Sequence, residues 1–370
     1  MKYFFELIQV AVGTRQDLSA TLQPEKWQRL YHEARRQALL GVLYEAITRL
    51  PKAQMPPKSL LFQWYGVAEK IKEQNRQINA EAVRLGQWLQ AQGMDYTVLK
   101  GQGIATLYPE PLLRNPGDID VWVRPPHYEQ IPLSERRYQL VEFSKQLGTI
   151  DNICYHHLHF PFSETVEVEL HFTPTWKDNW LLNKRLQRYF TNLDLKQSQQ
   201  LVDLPEGAGQ IQIPSTDFNA FYVLLHIYHH LFGEGIGLRQ LMDYYYVLHR
   251  DWDEATKKQI IQLLKEQHML TFTGATMYVL KVVFGLDEAY FLVPANEKEG
   301  RFLLKEILLA GNFGQYDSRI KHSQQQNDLA KFLRSLQRLV KFAWTYPWEV
   351  LSNPFFRIYH YFYRKRRGWR

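Results

Sequence analysis

Cysteine is almost absent: Cys154 stands alone in 370 residues, which excludes an internal disulfide framework and a cysteine-based zinc site and fits a reducing compartment. Long apolar runs are missing as well. The nearest to a membrane span, Met269 to Leu286, carries Lys281 and three threonines and reads as a buried helix. At the start, Glu6 and Gln9 interrupt the apolar stretch that a signal peptide needs, so the expected location is cytoplasmic. Gly (20) and Pro (17) are too few for collagen-like or low-complexity classes. The body also lacks net charge. The total is +7, but Arg357, Arg364, Lys365, Arg366, Arg367 and Arg370 supply six of it in an acid-free terminal stretch. A near-neutral body argues against a large nucleic-acid groove.

What is plentiful is aromatic, 14% of the chain. Phe355, Phe356, Tyr359, Tyr361, Phe362, Tyr363 and Trp369 interleave with those terminal cations. Such a segment, residues 355–370, suits weak contact with an anionic membrane surface or a polyanion. It equally suits a helix whose aromatics pack on the body while its arginines are solvated.

Length predicts two or three domains. Trp27, Leu30, Tyr31, Ala34, Ala38 and Val42 follow a 3.6-residue period, and so do Trp64, Val67, Ile71, Ile78, Ala82, Leu85 and Leu89, with Gly93 closing the second helix. From Tyr96 the character changes. YTVL reads as a strand running into the turn Lys100-Gly101-Gln102-Gly103 and a short helix. Gly117-Asp118-Ile119-Asp120-Val121-Trp122-Val123 alternates, with Ile119, Val121 and Val123 on one face and Asp118, Asp120 and Trp122 on the other. Residues Thr165 to Phe172 alternate too, with Glu167, Glu169 and His171 on the polar face. Leu201 to Ile213 reads as a hairpin, Ser215 as an N-cap, and the chain beyond as helical to about Trp344. The predicted architecture is α+β: helices over 1–92, a small mixed-sheet core over 93–213, helices over 214–350, and a basic aromatic tail over 351–370.

An Asp-x-Asp on a strand puts two carboxylates within reach of one divalent ion, and a third acid from a neighbouring strand completes a site for Mg2+-dependent phosphoryl chemistry, with Mn2+ as a substitute. Asp118, Asp120 and Glu169 fit this demand, with Glu167 as the fallback third acid. The bland reading leaves them as solvated positions on amphipathic strands. Some seventeen residues upstream, Gly101 and Gly103 open a turn of the kind whose backbone N–H groups cradle phosphates. Lys100 and Arg114 would neutralise a triphosphate; otherwise Lys100 is a turn residue and Arg114 pairs with Glu110. Gln102 and Gly117 flank these groups and join the expected nucleotide contacts. His156, His157 and His159 cluster before the third-acid strand, and His226 and His230 share a helix face at the spacing of zinc ligands, although no HExxH pattern accompanies them.

The strings LKGQGIATLYPEPLLRNPGDIDVWV, VEVELHF and LLHIYHHLFGEGIGLRQLMDYYYVL together resemble the uncharacterised nucleotidyltransferase family of the DNA polymerase β-like superfamily. The resemblance spans roughly residues 90 to 250 and rests on Lys100 and Gly101, Arg114, Asp118 and Asp120, Glu169 with His171, His226 and His230, then Gly237, Arg239 and Asp243. It departs in its third acid, Glu169 where Asp is commoner, and in a Lys-Gly turn where the wider superfamily has Gly-Ser. The resemblance implies two-metal transfer of a nucleoside monophosphate from an NTP such as ATP to a hydroxyl of a small molecule or protein, with release of pyrophosphate. Asp118, Asp120 and Glu169 would hold the metals, and His171, His226, His230, Arg239 and Asp243 would line a cleft. Arg239 and Asp243 also suit an intrahelical i, i+4 pair. The competing class is a non-catalytic scaffold docked on a membrane or polyanion through its tail, peripheral rather than spanning.

Overall fold

The computed structural model describes residues 1–150, 152–193, 199–317, 319, 336, 339–367 and 369. These form two compact units, each assembled from separated stretches of chain: Met1–Asn75, Leu107–Pro116 and Val223–Arg334 in the first, Arg76–Thr106, Gly117–Tyr222 and Ser335–Arg370 in the second. The consecutive blocks read from the sequence are thus interleaved, because residues 107–116 and the helices beyond Tyr222 group with the N-terminal helices.

The first unit is helical. Helices α1 (Lys2–Val12), α2 (Pro24–Arg36) and α3 (Leu40–Arg49) lead into α4 (Lys58–Ala91). Trp27, Leu30, Tyr31 and Ala34 are buried along one stripe of α2, as their spacing predicts. The buried Trp64 indole N–H donates to the Leu40 carbonyl at 2.7 Å. The chain passes into the second unit within α4, which ends before Gly93 at φ +71, a conformation that glycine adopts without strain.

The second unit holds the sheet. Strands β1 (Asp95–Leu99), β2 (Ile119–Arg124), β3 (His157–His159) and β4 (Val168–His171) lie in the order β1-β2-β4-β3. β1 and β2 are antiparallel, β2 and β4 parallel, β4 and β3 antiparallel, so the sheet is mixed. The short helix α5 (Gly101–Ala105) follows β1, and α6 (Leu133–Ser144) follows β2. Ile119, Val121 and Val123 pack into a core with Ile78, Leu85 and Leu89 of α4 and Leu140 of α6. The opposite face of β2 is also covered: Trp122 lies beside Phe190 of α7 (Trp180–Asn192) and Phe218. Asp120, on that face, is only 4% exposed, so it is not a solvated strand position. The hairpin β5 (Gln199–Leu204) and β6 (Gly209–Pro214) precedes α8 (Thr216–Gly233). Phe218 N–H donates to the Ser215 hydroxyl at 3.4 Å.

The first unit resumes within α8, at Val223, and continues with α9 (Leu238–Leu248), α10 (Glu254–Glu266), α11 (Leu270–Val279) and α12 (Glu297–Ala310). The apolar run near Met269 is buried, and no helix among the described residues is long and apolar enough to cross a membrane. Of the helix expected to reach about Trp344, residues 318, 320–335, 337 and 338 lie outside the described residues. The aromatic tail belongs to α13 (Pro347–Arg366), whose expected Arg370 lies outside them as well. One face of α13 is tied down: Glu349 Oε2 stands 3.3 Å from Lys177 Nζ, Asn353 Nδ2 donates to Asp178 at 2.5 Å, and Phe356 stacks on Trp176. The other face exposes Trp348, Leu351, Phe355, Ile358, Tyr359 and Phe362.

Candidate active site

The register of the sheet brings the acids together. In the parallel β2–β4 pair Asp120 lies opposite Glu169, and in the antiparallel β1–β2 pair Leu99 lies opposite Asp120. Partners in register point to the same face, so the two carboxylates share one side of the sheet and the turn after Leu99 reaches that side. Lys100 occupies this turn at φ 53, a backbone conformation that costs a lysine of order 1 kcal/mol. Its Nζ stands 3.0 Å from Asp120 Oδ2. His171, 1% exposed, places Nε2 2.8 Å from Asp120 Oδ1 and 3.5 Å from Glu169 Oε2.

These contacts set the charges. Burial alone would raise Asp120, but Lys100 and the His171 hydrogen bond hold its carboxyl well below the usual range. Burial would likewise lower His171, yet hydrogen bonds to Asp120 and Glu169 outweigh it and lift the imidazole to about 9. His171 is therefore an imidazolium at neutral pH, and it helps keep Glu169 below its ordinary value against burial. Asp118, at the mouth of β2 and solvent-exposed, is pushed up to about 6. The charge on the neighbouring Asp120 is the largest cause.

The donor chemistry fits a divalent cation. Asp120, Glu169 and His171 offer ligand atoms within 4.8 Å of one another. The mutual repulsion that raises Asp118 is what a cation would relieve. Asp118 is not part of that 4.8 Å group, and the exposed Glu167 precedes β4 and is not part of it either.

Around the acids, Gly101 adopts φ +40 and a Cβ there would lie 3.8 Å from the Asp118 carbonyl. Gly103 answers to packing: a Cβ would lie 2.6 Å from Ile213 Cγ2 of β6. Gln102 is buried, and its amide donates to Asn79. Gly117 is exposed. Two neighbours were not singled out as site residues from the sequence. The phenol of buried Tyr222 is raised well above its ordinary value, first by burial and then by Asp120, Glu169 and Asp118. His157, whose Nδ1 stands 3.2 Å from Glu169 Oε2, is lowered by burial and by the charge on His171 to about 4, and so is neutral. Tyr222 carries no pattern signal, being one aromatic in an apolar helix. His157 was legible only as one of a histidine cluster.

The remaining expected residues belong to the first unit. Arg114 does not pair with Glu110, and Asp243 is not engaged mainly by Arg239. Arg114 Nε and Nη2 instead donate to Asp243 Oδ1 and Oδ2, each at 2.8 Å, and the Tyr108 hydroxyl donates to Oδ1 at 2.7 Å. This bidentate fork outcompetes an i, i+4 contact because it forms two charge-assisted bonds out of water. Burial would raise Asp243, but Arg114 holds it below the usual range. Arg239 Nη1 donates to the Asn115 carbonyl at 3.1 Å. His226 and His230 stack edge to face at 4.3 Å, and Nδ1 of His230 lies 3.6 Å from Glu234.

No curated protein matches the chain. Among solved structures, the chain is similar to an antigenic nucleotidyltransferase-like protein from Paracoccidioides brasiliensis at 14% identity and a TM-score of 0.30, over 53% of this chain and 90% of that one. Residues 23–285 match the family described as uncharacterised nucleotidyltransferase. The chain therefore belongs to that family of nucleotidyltransferases.

Proposed function

We propose that this protein transfers a nucleoside monophosphate from an NTP to a hydroxyl of a small molecule or protein, releasing pyrophosphate. One observation carries the reading: Asp120 and Glu169 stand opposite each other on adjacent parallel strands, with Lys100 Nζ 3.0 Å from Asp120. Asp118, Asp120 and Glu169 would hold Mg2+, or Mn2+ in its place. When bound, the ion would supply positive charge to offset that of the triphosphate. The acceptor oxygen forms a bond to the α-phosphorus as the bond to the bridging oxygen breaks, and pyrophosphate leaves with the electron pair. Glu169 Oε2 takes the hydroxyl proton, and the His171 imidazolium 3.5 Å away offsets its charge beforehand. Lys100 supplies a cation beside the phosphates. Arg114, committed to Asp243, positions its loop rather than the nucleotide.

Calorimetry of each NTP with and without Mg2+, on wild type and Asp118→Asn/Asp120→Asn, tests this. Mg2+-dependent binding of an NTP by wild type only is the expected result, after which α-labelled nucleotide reports the acceptor. Equal binding by both proteins, or none by either, overturns it.

A second observation supports an accompanying peripheral attachment. The apolar residues on the free face of α13 fall within one stripe, and Arg364, Lys365, Arg366 and Arg367 follow at its end, the pattern of a helix lying on an anionic membrane.

A further inference from the structure

β3 and β4 pair so that His157 lies opposite His171 and His159 opposite Glu169. His156 precedes β3, and one ring nitrogen from each of His156, His157 and His171 lies within 4.8 Å of the others. The contacts run in sequence: His156 Nε2 to His157 Nδ1 at 3.0 Å, His157 Nδ1 to Glu169 Oε2 at 3.2 Å, Glu169 Oε2 to His171 Nε2 at 3.5 Å. Trp176 packs against His156 with ring centroids 4.0 Å apart and fixes its plane.

Hydrogen bonding alone serves this set poorly. His157 Nδ1 carries either one proton or one lone pair, yet it faces both His156 Nε2 and Glu169 Oε2. If it is protonated, that proton is shared between two acceptors. If it is not, its lone pair faces a carboxylate. A cation satisfies the lone pairs of His156 and His157 together, and its binding releases the His171 proton so that this ring joins them. Ligand atoms at about 2.1 Å from a tetrahedral ion stand about 3.4 Å from one another, a spacing that the 3.0 Å between His156 Nε2 and His157 Nδ1 approaches.

We propose that His156, His157 and His171 form a binding site for a borderline transition-metal ion of the Zn2+ class. Three imidazoles suit such an ion, whereas Mg2+ takes oxygen ligands. The site does not depend on nucleotidyl transfer. Resting on that reading, one consequence follows: His171 also contacts Asp120 and Glu169, so a transition metal here replaces the imidazolium charge beside the carboxylates that would hold magnesium.

The test is Zn2+ titration of the full chain after chelator dialysis, by calorimetry and with no nucleotide, together with the visible absorption of Co2+ as a probe of ligand geometry. One stoichiometric equivalent and a tetrahedral Co2+ spectrum are expected for wild type and for Asp118→Asn. His156→Ala/His157→Ala is expected to weaken binding more than about 100-fold, while His226→Ala/His230→Ala keeps it. If the double variant at 156 and 157 does not fold, His156→Asn replaces it, with about tenfold weakening expected. Absence of stoichiometric uptake by wild type, retention by the 156/157 variant, or loss confined to the 226/230 variant overturns the proposal. Failure of nucleotide binding would leave these readouts untouched.

Discussion

Asp243→Asn removes the negative partner of Arg114 while keeping the shape of the side chain. Both side chains are buried, 5% and 8% exposed, and joined by two bonds of 2.8 Å. Breaking a buried pair by removing one charge costs about 3–5 kcal/mol, because the other charge remains out of water. An asparagine oxygen can still accept from one guanidinium N–H or from Tyr108, which puts Asn near about 3 kcal/mol and Asp243→Ala near about 5. Urea unfolding measures this, read from the transition of the unit that carries the pair, since two units need not unfold as one. Replacing both partners, Arg114→Met/Asp243→Leu, should restore much of the loss, leaving a large coupling energy in the double-mutant cycle. The pair also makes stability depend on pH. Asp243 is depressed in the folded protein, so its contribution is complete above the unfolded value of about 3.9 and is lost as pH falls through the folded value. The variant should lack this acid-side slope. A loss below about 1 kcal/mol for Asp243→Asn, the range of an exposed pair, or strict additivity of the two single changes, would refute the reasoning.

Gly103→Ala places a methyl 2.6 Å from Ile213 Cγ2 and should cost about 1–3 kcal/mol by overpacking. Gly103→Ala/Ile213→Ala should then cost less than the sum of its parts, and an unfolding midpoint unchanged by Gly103→Ala would contradict the close approach. Phe355 and Ile358 are 75% and 50% exposed, so Phe355→Ser/Ile358→Ser should leave the melting temperature unchanged. The same change should weaken sedimentation with phosphatidylserine vesicles by about 100-fold, taking about 1.4 kcal/mol for each buried side chain; equal sedimentation of both proteins would rule out attachment through this face.

Local structure was legible wherever a short-range pattern carried it. The alternation around Asp120 and Glu169 marks β2 and β4 because one face of each strand meets an apolar core. The long periodic stripe and Gly93 mark α4, and Ser215 marks the start of α8. The short strand β3 was not legible, since three residues, His-Leu-His, are too few for a period and their pairing with β4 supplies the order. Pairings across the chain were hidden for the same reason. Arg114 and Asp243 are separated by 129 positions, so nothing near either residue announces the other. Nor do strand alternation and side-chain chemistry reveal that His171 and Lys100 already supply the positive charge around Asp120, which is a property of the folded register.

The interleaving of the two units bears on how the chain is made. Segments of both units recur on either side of residues 107–116 and 223, so neither has all its parts until most of the polypeptide has left the ribosome. Loop closures this long make assembly slow relative to synthesis and leave apolar helix faces waiting for their partners. An expression fragment cut at any single boundary in the sequence divides at least one unit. A chaperone that shields the early helices, or slower synthesis at low temperature, should therefore raise the yield of folded protein more than any truncation.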